Sequence, residues 1–425
     1  MPVNFNNASF KDFENIEGQD IYATAREFAA YLDFLKANGH LNYRIESLSP
    51  VGPEMNLMLP GDDHPTWCVC LVSNDYLGFS QHKLIKEAVI KGIETYGTGS
   101  GASPAIGGHF TYHEQLERKI AAFYKRSDAI LYTTGYTANS ATLQCILHRD
   151  DNPQKSDIAI FDMNVHASVY EGGLTTTVKT FLHNDLEALE HVLKNVKERY
   201  RTKMVVIDGV YSQDGDIAPI AQIAELTHRY GCYLVVDDAH GIGVVGATGR
   251  GVIELDNVFD QVDIITGTFS KALGNIGGYV IASPEVITYL KYQSKQHLFS
   301  TTATPAVMGI LKAIDLVDEE PEWRTRLWEN IEYLKNGLIE MGFEVGTTAS
   351  AVIPVKVGDI LKTLEAGRLL LKAGVYTNPI MYPAVSKKNA RIRMNVMATH
   401  TKAHLDKVLA AFKEIDETLH ISNRG

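Results

Sequence analysis

The residue that most restricts the chemistry of this chain is Lys271, which closely follows Thr268 and Ser270. Thirty-four positions earlier an apolar run ends in Asp237, and His240 follows three residues later. A lysine amine forms a Schiff base with an aldehyde, and a carboxylate keeps a pyridine nitrogen protonated so that the ring accepts electrons. Hydroxyls and backbone N–H groups bind phosphate. These residue types at this spacing therefore predict a site for pyridoxal 5'-phosphate (PLP).

Taken singly, each of these residues also has an ordinary structural explanation. Asp237 is an acid after a strand, a position at which many acids cap the next turn, and the neighbouring Asp238 would serve equally well. A lone lysine is more often a solvated surface residue. The fixed spacing of Asp237, His240 and Lys271, together with the glycine-rich run Gly274–Gly278, favours the cofactor interpretation.

Three further candidates depend on their local sequence. Gly135 and Tyr136 lie in a turn after an apolar run, and a turn that opens a helix offers N–H groups to phosphate, although such a glycine is as often only a turn. His166 is either a satisfied core histidine or an imidazole stacked on the pyridine ring. Ser212 lies in a segment whose composition an ordinary loop also uses.

Arg393 is a candidate for binding a carboxylate. It alternates with apolar residues, so that Arg391 and Arg393 lie on one face of a predicted strand. A buried arginine binds a carboxylate through two parallel hydrogen bonds. A substrate carboxylate and an acidic side chain of the protein are equally good partners on this spacing.

The elements that position these residues follow from hydrophobic periodicity. A capping box at Thr111–Glu114 predicts the start of one helix, and Ile220 and Ile223 lie on the apolar face of another, which Gly231 ends. Apolar runs predict strands at 158–161, 204–207, 233–236, 263–266 and 279–282. Such strands separated by helices indicate a mostly parallel sheet with both faces covered. Ligands bind at the carboxyl ends of these strands, which carry Asp208, Asp237 and Thr268.

The pattern also predicts the domain organisation. Residues 73–310 form a large PLP-binding domain, and residues 311–425 form a small C-terminal domain. We expect residues 1–72 to join this small domain. Length, 45% hydrophobic residues and 21% charged residues are typical of a globular protein of this size.

Composition excludes several classes of function. The net charge of −11 without a basic block argues against nucleic acid as a partner. The four cysteines have no metal-ligand spacing, so that we expect no metal site and a reducing cytoplasm. The N-terminus lacks the pattern of a signal peptide, and no apolar run is long enough for a membrane span.

Several motifs in order resemble those of the α-oxoamine synthases, fold-type I PLP enzymes, from about residue 73 to the final helix. The motifs are Ser73–Gly78, Tyr96–Gly99, His113–Glu117, Asn164–Ser168, Asp208–Asp216, Val236–Gly243, Gly267–Lys271 and Arg391–Thr401. The resemblance implies an α/β fold with a large, mostly parallel central sheet flanked by helices, plus a smaller α+β domain. The segments 378–385 and 397–401 are most similar to those of bacterial serine palmitoyltransferases.

The resemblance also implies a role for each matched residue. Lys271 is implied as the Schiff-base lysine and Asp237 as the partner of the pyridine nitrogen. His166 is implied as the stacking residue, which also helps to polarise the thioester carbonyl. The remaining cofactor contacts fall on His240 and Ser212 near the ring hydroxyl, on Gly135, Tyr136 and Thr268 at the phosphate, and on Ser300 and Thr301 reaching the phosphate from the neighbouring subunit of a homodimer. Asn74 and Arg393 match the residues that hold the carboxylate of the amino acid.

The implied reaction is a decarboxylative Claisen-type condensation of a small amino acid with an acyl thioester of CoA or acyl carrier protein. Serine and a long acyl chain are favoured, giving a sphingoid-type base precursor, while cysteate, glycine and alanine remain open. Alternatives are 8-amino-7-oxononanoate synthase or glycine C-acetyltransferase activity. An aminotransferase on the same fold is a further rival. A non-catalytic partner subunit would be expected to lack the lysine, and Lys271 is present.

Overall fold

The computed structural model describes residues 3–6 and 8–422. The helices, numbered in chain order, are α1 Ile21–Ala37, α2 Lys83–Tyr96, α3 Thr111–Phe123, α4 Gly135–Ile146, α5 Ala167–Gly172, α6 Leu186–Val196, α7 Ile220–Arg229, α8 Val252–Leu255, α9 Pro284–Gln293, α10 Lys295–Phe299, α11 Met308–Glu319, α12 Glu322–Glu340, α13 Ile360–Lys372 and α14 Lys402–Leu419. The strands are β1 Glu46–Ser47, β2 Glu54–Met58, β3 Thr66–Cys70, β4 Asp128–Tyr132, β5 Ile158–Asp162, β6 Thr177–Phe181, β7 Lys203–Asp208, β8 Tyr233–Asp237, β9 Ile264–Thr268, β10 Gly278–Ala282, β11 Val352–Lys356, β12 Val375–Tyr376, β13 Asn378–Ile380 and β14 Arg391–Asn395.

The chain divides into two compact units. One contains residues 74–328, and the other combines residues 1–73 with residues 329–425. The second boundary falls inside α12. The domain limits expected from the sequence, at residues 72 and 310, stay a prediction.

The larger unit is built on a central sheet. Within the described residues this sheet has seven strands in the order β4-β10-β9-β8-β7-β5-β6. The strands β5 to β9 run parallel, and β10 runs antiparallel to both β4 and β9. The strands β5, β9 and β10 are buried along their whole length, as their continuous apolar sequences predict. The expected mostly parallel sheet flanked by helices is confirmed.

The smaller unit contains two sheets of its own. Over the described residues, one has the order β1-β2-β3-β12 and the other is the antiparallel sheet β11-β14-β13. The helices α13 and α14 follow strands of this unit, so that it has the α+β composition expected from the sequence.

Two helix ends test the local predictions. The helix α3 begins at Thr111, and Phe110 is its N-cap, so the predicted capping box with Thr111 as the cap is wrong. His113, three residues after the observed N-cap, accepts a hydrogen bond on Nδ1 from the Phe110 amide at 3.0 Å and so satisfies that backbone donor. The end of α7 is as predicted, because Gly231 follows the helix with a positive φ of 61°.

In the part of the chain that the structure describes, no helix is long and apolar enough to cross a membrane.

Candidate active site

A cavity of about 230 Å³ lies at the carboxyl edge of the central sheet. Lys271 lines it together with residues that follow β4, β5, β7, β8 and β9. The lining includes these residues that the sequence predicts: Gly135, Tyr136, His166, Asp237, His240, Thr268 and Lys271. It also includes Thr134, Asn139, Asp208, Val210, Ala239 and Ser270. Segments far apart in the sequence thus converge where a parallel sheet places its ligand.

Two donors fix the orientation of the Asp237 carboxylate at the end of β8. Its Oδ2 accepts from Asn139 Nδ2 at 2.6 Å, and its Oδ1 accepts from the Ala239 amide at 2.9 Å. The adjacent Asp238 is fully buried and accepts from the Tyr124 hydroxyl at 2.7 Å. Burial raises the pKa of Asp238 to about 7. The two acids therefore have separate environments, and Asp237 is the one that lines the cavity.

His166 is the N-cap of α5, and its ring lines the cavity. Burial lowers the pKa of His166, the nearby charge of Asp237 opposes this effect, and Lys271 adds to it. Its backbone amide donates to Asp208 Oδ1 at 3.4 Å. A neutral imidazole is thus favoured where the sequence predicts a ring stacked on the cofactor.

His240 is linked to the motif that begins at Ser73. Its Nδ1 lies 2.7 Å from the Tyr76 hydroxyl, which also donates to Asn74 Oδ1 at 3.2 Å. Tyr76 is only 1% exposed. Tyr76 lies in the motif Ser73–Gly78, but the sequence alone predicts no role for it. A contact between residues that are 164 positions apart leaves no local signal.

The N-terminus of α4 forms one wall of the cavity. Thr134 is its N-cap and accepts from the Thr137 amide at 3.1 Å. A Cβ on Gly135 would lie 2.7 Å from Thr268 Cβ, so that glycine is needed for this close approach. Thr268 Oγ1 donates to the Gly277 carbonyl at 2.9 Å and lies 2.8 Å from Ser270 Oγ. Hydroxyls and helix-terminal N–H groups, the expected ligands of a phosphate, therefore meet at one place.

The remaining predicted residues lie outside the lining of this cavity. Ser212 is in the loop between Val210 and Ile217, which pair in an isolated bridge. Ser300 and Thr301 follow α10, and Thr301 Oγ1 lies 2.7 Å from Ser100 Oγ. Asn74 contacts Tyr76, as described above. Arg393 is a buried residue of β14 in the other unit. The roles of these residues stay predictions.

A wider cleft of about 850 Å³ lies at the opposite edge of the same sheet. It is lined by Tyr233 and Ile264, the first residues of β8 and β9. Its position at the amino ends of the strands separates it from Lys271, and larger volume alone does not make it the catalytic site.

The cavity residues fit PLP. A buried carboxylate with fixed orientation suits a pyridine nitrogen, and a lysine suits the aldehyde. Because Gly135 has no side chain, the backbone N–H groups at the N-terminus of α4 are left uncovered for a phosphate. Asp237, Lys271, Gly135, Tyr136 and Thr268 are the residues that would hold the group.

Comparison with known proteins agrees with this geometry. Residues 67–412 match the model of the aminotransferase class I and II family. The 8-amino-7-oxononanoate synthase of Thermoanaerobacter pseudethanolicus is 40% identical over 377 residues, which are 88% of this chain and 92% of that protein. The 8-amino-7-oxononanoate synthase 1 of Bacillus subtilis is 39% identical over 354 residues, covering 83% and 88% of the two chains.

Solved structures give the same fold. Serine palmitoyltransferase from S. paucimobilis with a bound PLP–myriocin aldimine superposes with a TM-score of 0.88 at 27% identity, covering 95% of this chain and all of that one. The 8-amino-7-oxononanoate synthase of Francisella tularensis has a TM-score of 0.71 at 21% identity, covering 83% of this chain and 98% of that one, and supports the fold alone.

The chain belongs to the aminotransferase class I and II family and has the fold-type I architecture of PLP enzymes. Within that family it is an α-oxoamine synthase, a PLP-dependent acyltransferase, as its motifs predict. The expectations of PLP as cofactor and of an enzyme of this class are confirmed.

Proposed function

We propose that this enzyme condenses alanine with the thioester of a seven-carbon dicarboxylic acid, with loss of carbon dioxide, to give 8-amino-7-oxononanoate. The observation that supports the proposal is the 40% identity over 88% of the chain to a protein of that activity. The product itself defines the substrates. Its methyl carbon and amine-bearing carbon are those that alanine keeps after decarboxylation, and its keto carbon and terminal carboxylate come from a pimeloyl thioester.

The residues of the cavity have matching roles in this proposal. When bound, PLP supplies an electron sink for the substrate carbon that loses its proton. Lys271 would hold the cofactor aldehyde through Nζ, and the same amine would accept the α-proton of the amino substrate. Asp237 would be the carboxyl partner of the pyridine nitrogen. His166 donates a hydrogen bond to the thioester carbonyl oxygen as negative charge develops there.

A second candidate is condensation of serine with a long-chain acyl thioester, the activity that the sequence motifs favour. The specific observation behind it is coverage, because serine palmitoyltransferase matches 95% of this chain with a TM-score of 0.88. The sequence identities favour the first candidate. A homodimer that shares Ser300 and Thr301 between its sites is part of both.

The experiment is a substrate matrix with the PLP-loaded enzyme. Alanine, serine, glycine and cysteate are each combined with acetyl, pimeloyl and palmitoyl thioesters of CoA and of acyl carrier protein. The readouts are the thiol released and the mass of the amino ketone formed. Turnover of alanine with a pimeloyl thioester is expected. Preferred turnover of serine with a palmitoyl thioester would replace the first candidate with the second.

Lys271→Ala is the negative control for chemistry at this site. The variant should lose the visible absorbance of lysine-bound cofactor and all turnover above background. Lys413→Ala, a change of an exposed lysine on α14, is the matched control and should keep both. Retention of the absorbance band in Lys271→Ala would contradict the assignment of the lysine.

A further inference from the structure

Asn139 is the centre of a buried hydrogen-bond network beneath the cavity. Its side chain is only 4% exposed. Its Nδ2 donates to Asp237 Oδ2 at 2.6 Å and to Ser168 Oγ at 2.9 Å, and its Oδ1 accepts from Thr266 Oγ1 at 2.6 Å. A carboxylate only accepts hydrogen bonds, so the amide nitrogen must face Asp237. Every polar atom of the Asn139 side chain is therefore used, and its orientation is fixed.

Ser168 extends this network to His166. Its Oγ lies 2.8 Å from His166 Nδ1, and its backbone amide donates to the same nitrogen at 3.3 Å. A backbone N–H can only donate, so Nδ1 must be the accepting nitrogen of the ring. A neutral imidazole has one proton, and this contact leaves that proton on Nε2. The Ser168 hydroxyl accepts from Asn139 and donates to His166.

We propose that Asn139 and Ser168 are positioning residues that hold His166 as the Nε2-protonated tautomer and orient the Asp237 carboxylate through one continuous network. The consequence for catalysis rests on the proposed function, in which the Nε2–H of His166 donates to the oxygen of the acyl donor. A ring in the other tautomer would present an acceptor to that oxygen and repel it. The network thus connects His166 with Asp237, the two side chains whose orientation the proposed reaction needs.

The charges around His166 are consistent with a neutral ring. Asp208 accepts from its backbone amide at 3.4 Å, and Asp237 and Lys271 both act on the ring. Burial lowers the pKa of His166 more than Asp237 raises it. The ring of Tyr136 meets the imidazole edge to face, with centroids 6.0 Å apart.

The direct test is the tautomer itself, measured by ¹⁵N NMR of the enzyme with ring-labelled histidine, with and without PLP. The signals of His166 are assigned from their loss in His166→Gln. At neutral pH the wild type should show a non-protonated Nδ1 and a protonated Nε2. A protonated Nδ1 of His166 in the wild type would overturn the proposal, whether or not the Ser168 variant folds.

Ser168→Ala tests the network. Loss of the hydroxyl leaves only the longer backbone contact, at 3.3 Å, to hold Nδ1 as an acceptor. Part of the population should therefore adopt the second tautomer, and kcat should fall roughly tenfold with little change in the KM for the amino acid. Ser140→Ala, at a buried serine of α4 whose hydroxyl donates to the Tyr136 carbonyl, should change neither. An unaltered tautomer and unaltered kcat in Ser168→Ala would refute the positioning role. Absence of turnover in the wild type would refute the proposed function and leave the NMR result valid.

Discussion

His183 joins two loops that carry predicted cofactor residues. Its Nδ1 lies 3.1 Å from Asp162 Oδ1, and its Nε2 lies 2.9 Å from Asp216 Oδ2. Asp162 ends β5 four residues before His166, and Asp216 lies four residues after Ser212. A protonated ring between two carboxylates should therefore stabilise both loops, and His183→Gln should remove that charge while keeping a side chain of similar length.

The stability that His183→Gln should lose follows from the proton affinity of the His183 ring in the folded protein. Burial alone lowers the pKa of His183, but hydrogen bonds to Asp162 and Asp216 outweigh it and raise the pKa from 6.5 to about 10. Because the pKa is higher in the folded state, the stabilisation is fully present below pH 6.5 and is lost as the pH rises towards 10. Each tenfold change in proton affinity corresponds to about 1.4 kcal/mol, so the protonated His183 ring should stabilise the folded state by roughly 4–5 kcal/mol. This agrees with about 3–5 kcal/mol for breaking a buried ion pair.

The assay is urea unfolding of the wild type and His183→Gln at one pH below 6.5 and at another near 10. The difference in free energy of unfolding should be several kcal/mol at the lower pH and should shrink at the higher one. His228→Gln is the matched control, because its half-exposed ring pairs with Asp263 only at 3.9 Å and such pairs contribute at most about 1 kcal/mol. A loss for His183→Gln that is equal at both pH values would refute the electrostatic explanation.

Two further substitutions test the cavity walls. Tyr76→Phe removes the hydroxyl 2.7 Å from His240 Nδ1, and a buried group that loses its partner costs about 1–3 kcal/mol, so kcat/KM should fall at least roughly fivefold, and an unchanged value would assign Tyr76 to packing alone. Gly135→Ala places a Cβ 2.7 Å from Thr268 Cβ, and the displaced wall should weaken PLP binding by roughly tenfold or more in an absorbance titration. Wild-type affinity in that variant would show that the wall yields without affecting the cofactor.

The central sheet was predictable because its strands are buried on both faces. The runs 158–161, 204–207, 233–236, 263–266 and 279–282 each fall within or overlap an observed strand, with ends shifted by at most two residues. A strand buried on both faces needs apolar side chains at every position, and this leaves a continuous signal in the sequence. Asp237, His240 and Lys271 were predictable for the same reason, because they lie at or just after the ends of these strands.

The supporting network was not predictable, because its contacts join distant segments. Asn139 lies in a helix and binds Asp237 across 98 residues, and Tyr124 reaches Asp238 across 114. A polar residue inside a helix has no local pattern that distinguishes a buried ligand from a solvated side chain. One weak signal was available, because Asn139 lies four residues after Gly135 and so shares its face of α4.

The register of β7 and β8 places two acids side by side in the cavity. It pairs Asp208 directly with Asp237 at the carboxyl ends of the strands, where both are buried. Two carboxylates this close do not both ionise readily. Asn139 and Ala239 donate to Asp237, whereas the donor to Asp208 from His166 is longer, at 3.4 Å. Burial, and next the charge of Asp237, raise the pKa of Asp208 well above its usual range. Of the two neighbouring acids, Asp208 is therefore the one whose charged form is disfavoured, whereas the Asp237 carboxylate keeps two close donors.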